Sequence, residues 1–97
     1  MINEDTYNAR VRLGAIVATP AALRLMFMNG TDPYQLLSRH ATGDWTEMDL
    51  EDQETNKQAA ANGLRVFSAY LVNLTERVWI ITEADRSSTT ILLPSEY

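Results

Sequence analysis

The chain has one histidine, His40, followed four residues later by Asp44 and then by Trp45. An imidazole oriented by a carboxylate is a familiar general acid or base, and a cation such as Arg86 can neutralise developing negative charge. Together with Thr90, these residues form one candidate catalytic set: His40 as proton carrier, Arg86 as charge stabiliser and Thr90 as a hydroxyl in the same cleft. A plainer account makes His40 a residue of the last turn of a helix, favoured there by the dipole and half buried against Trp45. No nucleophile or second base accompanies it. Ser87, Ser88, Thr89 and Thr90 supply hydroxyls without an activating base, and there is no G-x-S-x-G elbow, phosphate loop or dinucleotide fingerprint.

Carboxylates form the densest cluster. Asp44, Glu47, Asp49, Glu51, Asp52 and Glu54 put six acids within eleven residues. Hard cations take oxygen ligands, but this spacing lacks the alternation and internal glycine of a calcium loop, so neither a metal nor another cofactor is expected. A solvated acidic face accounts for the cluster most simply. The functional account is a protein-binding patch of Asp44, Trp45, Asp49, Glu51, Asp52 and Glu54, with Trp45 as an anchor if its ring is exposed. Glu83, Asp85 and Arg86 form a second charged group. Paired carboxylates can divide acid and base roles, yet an ion-paired hairpin is the simpler account, with Asp85 capping the turn and Arg86 paired to an acid.

The totals bound these readings. With 97 residues the chain is one domain, 1–97, and 45% hydrophobic against 22% charged residues is a composition that packs a core. The absence of cysteine excludes a disulfide scaffold, a thiolate metal site and a cysteine nucleophile. A net charge of −5, with eight Lys and Arg scattered singly, argues against direct DNA or RNA binding. An acidic protein can instead engage a basic protein surface, including one that normally grips nucleic acid. The N-terminus shows no apolar signal region, and the most apolar window, residues 13–28, is broken by Pro20 and Arg24. No membrane association and a cytoplasmic location are expected.

These candidates must be positioned by an α+β fold. Residues 10–18 read as a leading strand. Thr19-Pro20 opens a helix over 20–28, with Leu23, Met26 and Phe27 on a buried face, and Asn29-Gly30 stops it. Asp32-Pro33 opens a second helix over 33–41 that places Leu36, Leu37 and His40 together. Asp49 caps a third over 50–62, an alanine-rich helix that either packs closely on a sheet or is largely exposed. Residues 64–70, 77–83 and 89–94 are rich in strand formers, and their short links predict a three-stranded antiparallel meander with helices packed on one face. Trp79 is expected to cover the helical layer and Trp45 to plug one end of the core. The exposed edge of so short a sheet can pair with a copy of the chain, the apolar "TTILLP" at 89–94 being the candidate edge.

"GDW" at 43–45, the polar helix with Asp52 and Asn56, and "WIITEADRSSTTILLPSEY" at 79–97 carry a resemblance. Over residues 36–97 the chain resembles a family of short bacterial proteins labelled plasmid-related and found on mobile elements. That family has no established activity, so the resemblance implies a bacterial, mobile-element setting and carries over no catalytic residue. Two functions fit that setting. One is a small acidic factor that binds a protein partner, such as an inhibitor of a host defence or nucleic-acid-binding complex. The other is a metal-independent ribonuclease or toxin, since helices followed by an antiparallel sheet are similar to barnase and the RelE-like nucleases. It would require His40, Arg86 and Thr90 to line one cleft. The acidic charge favours the binding protein.

Overall fold

The computed structural model describes residues 9–97. Strand β1 (Ala15–Ala18) leads into helices α1 (Pro20–Met28), α2 (Pro33–Thr42) and α3 (Leu50–Asn62). Strands β2 (Val66–Leu71), β3 (Arg77–Thr82) and β4 (Ser88–Leu92) follow, closed by a 3-10 turn (Pro94–Glu96). Each helix starts where its capping chemistry predicts. The side chains of Thr19, Asp32 and Asp49 accept the backbone amides of Ala22, Tyr34 and Asp52 at 3.1, 2.9 and 2.8 Å. Each satisfies one of the amides that a helix N-terminus leaves unpaired.

The fold is α+β, and β2, β3 and β4 pair antiparallel as the expected meander, but the sheet does not stop at three strands. It has four strands in the order β1-β4-β3-β2, and β1 runs parallel to β4 with Ile16 beside Thr89 and Val17 beside Thr90. Short links reveal only antiparallel neighbours. A parallel partner needs a long crossover, and here the three helices together supply it. Only four of residues 10–18 are strand. Gly14 breaks the run at φ +64°, where a Cβ would overlap the Arg86 and Ser87 carbonyls of the β3–β4 turn. Beyond it, the Ala15 amide donates to Ser87 O at 3.0 Å and the Thr19 amide to Ile91 O at 2.9 Å.

This pairing moves "TTILL" from the expected edge to the interior of the sheet. The edges are β2, which α3 covers, and β1, where Ile16 and Val17 remain about half exposed.

Alternation along the strands turns Val66, Ser68, Tyr70, Val78, Ile80, Thr82, Thr89 and Ile91 toward the helices, all buried. Ala22, Met26, Leu36 and Leu37 close the main core over them, while Val11, Trp45, Ala59 and Val66 form a second cluster under α3. Two expectations are corrected. α1 turns Ala22 and Met26 inward, leaving Leu23 44% and Phe27 86% exposed. With Arg24 its only charged residue, the helix has no polar face to declare which side is out. Trp79 lies between inward-facing Val78 and Ile80, so the pleat turns it to the other face. There it stacks edge-on between Phe67, at 4.9 Å, and Tyr97, at 5.6 Å. Among the described residues, no helix is long and apolar enough to cross a membrane.

Candidate functional site

His40 occupies the inner stripe of α2 with Leu36, Leu37 and Ala41 and is completely buried. Its Nδ1 meets the Ser68 hydroxyl, and its Nε2 meets Thr82 Oγ1 at 2.8 Å. Thr82 Oγ1 lies 2.7 Å from Thr89 Oγ1, and Thr89 donates to Leu13 O at 2.7 Å. A carbonyl can only accept, so that last bond sets the direction of the whole chain. Thr89 gives its proton to Leu13 and accepts from Thr82. Thr82 therefore accepts from His40 Nε2–H, and in the neutral ring that burial favours, Nδ1 accepts from Ser68. The imidazole is neutral, in a single tautomer, with both nitrogens engaged. Burial, reinforced by the positive charge of Arg86, pushes its pKa down to about 4. The adjoining loop is pinned as well: Trp45 Nε1 donates to His40 O at 3.1 Å, and the Tyr70 hydroxyl to Asp44 O at 3.0 Å.

Asp44 does not orient His40. Its carboxylate takes Arg39 Nε at 2.7 Å, and Glu47 takes the other arm of the same guanidinium at 2.6 Å. The Arg39 hydrogen bond holds the Asp44 carboxyl below its usual range.

Arg86 likewise serves the backbone. It adopts a left-handed conformation, φ 61°, and its guanidinium donates to Leu64 O at 2.6 Å, Glu83 O at 3.1 Å and Ala59 O at 3.2 Å. Ala59 O belongs to the last turn of α3, which has no basic residue, and Leu64 O lies just past its Gly63 cap. Arg86 supplies the missing cation from the β3–β4 turn. The acidic partner expected for Arg86 is replaced by these carbonyls, and Glu83 instead approaches Arg65 at 3.9 Å. Asp85 does cap the turn, accepting the Ser87 amide at 2.9 Å.

Thr90 points away from buried Thr89 and Ile91, toward the face that carries Trp79. His40, Arg86 and Thr90 therefore share no open cleft. The hydroxyls that reach the imidazole are those of Ser68 and Thr82.

The acidic cluster divides by role. Trp45 is 3% exposed and belongs to the core beneath α3, so it presents no anchor. Asp44 and Glu47 are held by Arg39, and Glu47 also accepts the Leu71 amide at 2.8 Å on the outer edge of β2. Asp49 caps α3. Glu51, Asp52 and Glu54 stand exposed, with no cation at ion-pair distance among the described residues. Leu50, 82% exposed, sits among them. α3 is held to the sheet by Asn56, whose amide donates to Phe67 O at 2.6 Å and accepts the Phe67 amide at 3.3 Å, copying the pairing a further strand would make. Among the described residues, no three His, Cys, Asp or Glu side chains are grouped to hold a metal ion.

Ser68, Thr82, Thr89 and Asn56 were not singled out from the sequence for these roles. A signal for three of them exists: each of Ser68, Thr82 and Thr89 is a small polar residue at an inward position of an otherwise apolar alternation. Comparison with family models, characterised proteins and solved structures gives no match to this chain.

Proposed function

We propose that the chain is a protein-binding factor whose acidic helix α3 docks on a cationic surface of its partner. The observation that carries this reading is Leu50, 82% exposed, among Asp49, Glu51, Asp52 and Glu54. An apolar anchor ringed by charge resembles the core and rim of a protein interface. The inward-facing groups that chemistry would use support the same reading, because they are occupied with one another and closed to solvent. In the mobile-element setting, the partner is a nucleic-acid-binding or host defence complex, and the α3 carboxylates occupy the place of phosphates. Steering by opposite charges in that way predicts association that weakens steeply with salt.

The test is capture from bacterial lysate on immobilised wild type, compared with the triple variant Glu51→Gln, Asp52→Asn, Glu54→Gln and with Leu50→Ser. A partner held at about 0.05 M salt should be released by about 0.5 M, where screening is nearly complete within a few ångströms. The same partner should be lost from both variants and displaced by duplex DNA. Equal capture by the triple variant, or no capture by wild type, would overturn the reading.

A further inference from the structure

The charge of this molecule is strongly negative, yet two of its cations converge on one cleft. Arg10, Trp45, Lys57, Ala60 and Ala61 line an open cleft of about 310 Å³ between α3 and the chain entering β1. The volume lies at the small end of what ligand sites occupy. Its lining is otherwise apolar: the small accessible edge of the mostly buried Trp45, and Ala60 and Ala61, where larger side chains would fill the space. Its rim carries the two charges. Neither Arg10 nor Lys57 has a carboxylate at ion-pair distance among the described residues. Glu54, three residues before Lys57 on α3, holds the Gln58 amide at 3.1 Å instead.

Arg10 is placed rather than loose. Its backbone amide donates to Ala41 O at 2.7 Å, and its side chain lies across Gly43, where a Cβ would sit 3.2 Å from both Cδ and Nη1. Gly43 is left-handed at φ 88°, so a glycine there both ends α2 and makes room for the guanidinium.

We propose that this cleft binds a small organic monoanion with a flat apolar body, an aryl carboxylate in its simplest form. The fork of Arg10 matches a carboxylate, Lys57 adds a point charge, and the body of the ligand lies on Ala60 and Ala61 against the edge of Trp45. Overall negative charge repels such a ligand at a distance, so binding depends on both local cations. This site lies one turn beyond Glu54 on α3, beside the acidic surface proposed for the protein partner, and does not depend on that partner.

Benzoate is the probe, followed by amide and indole chemical shifts of the isotope-labelled protein. The Trp79 indole, on the far face of the sheet, serves as the internal control. Benzoate should move the Trp45 indole together with the Arg10, Lys57, Ala60 and Ala61 amides, with a Kd on the order of 1 mM for a ligand of that size. Neutral benzamide should bind about tenfold more weakly, and Lys57→Gln should weaken benzoate by about fivefold. Ala61→Leu, at an exposed position that a folded chain tolerates, should abolish the shifts. The proposal is overturned if benzoate at about 20 Kd-equivalents of that scale moves none of these signals. Equal binding of benzamide, undiminished binding to Lys57→Gln, or shifts centred on Trp79 would overturn it as well.

Discussion

The inner side of α2 and the outer side of α3 treat polar groups in opposite ways. Behind α2, His40, Ser68, Thr82 and Thr89 form a buried chain in which each donor has one acceptor and the final carbonyl sets the direction. On α3, Glu51, Asp52 and Glu54 point into solvent and meet no cation among the described residues. A buried polar group that loses its partner must give up hydration without return, whereas an exposed one falls back on water. Polar residues in the first region therefore govern stability, and those in the second are available for binding.

The sharpest way to break this contrast is His40→Ala. It removes a fully buried ring, takes the acceptor from the Ser68 hydroxyl and the donor from Thr82, which keeps its bond to Thr89, and leaves a cavity. A loss of about 4 kcal/mol is expected, read as a lowered midpoint in urea unfolding.

Acid probes the same chain in the intact protein. The folded pKa of His40 lies near 4, below the ordinary 6.5 that the unfolded chain retains. As pH falls below 6.5 the unfolded state takes up a proton that the folded state refuses, so stability is complete above that pH and declines toward pH 4. Across this window the decline approaches ~3 kcal/mol, from about 1.4 kcal/mol for each tenfold difference in proton affinity. Denaturant titrations at several pH values should show the decline in wild type. A flat profile between pH 6.5 and 4 would mean that the imidazole is not held neutral.

The smallest effect belongs to α3. Replacing Glu51, Asp52 and Glu54 by their amides should change stability by no more than about 0.5 kcal/mol, because lost dipole stabilisation at the first turn is offset by relieved repulsion. Thermal unfolding measures it. A large loss there would erase the contrast and make the acidic face structural.

Much of the secondary structure was legible in the residues themselves. Thr19-Pro20, Asp32-Pro33 and Asp49 announce helix starts through hydrogen bonds that span two or three residues, and the strands of the meander announce themselves by alternation. The parallel β1–β4 pair was not legible, since Ile16 and Thr89 are brought together by three intervening helices rather than by a turn. The orientation of α1 was hidden for another reason. Its residues are apolar almost all round, so Leu23 and Phe27 qualify for burial as well as Met26 does, and the sheet accepts only one side. At the candidate sites, the presence of a single histidine and an acidic run was plain. That Asp44 belongs to Arg39, and that Arg86 caps α3 rather than pairing with an acid, depends on distances between separate elements.

Local chemistry thus determined by sequence alone the α+β class, the helix boundaries, the meander, the strong negative charge and the absence of cysteine chemistry. Only the tertiary structure decided that β1 joins beside β4, that Trp79 faces away from the helices and that His40 is sealed into a directed chain of hydroxyls. The physical reason is range. Caps, turns and alternation are settled by neighbours along the chain, whereas burial and hydrogen-bond direction are settled by which distant surfaces exclude water from one another.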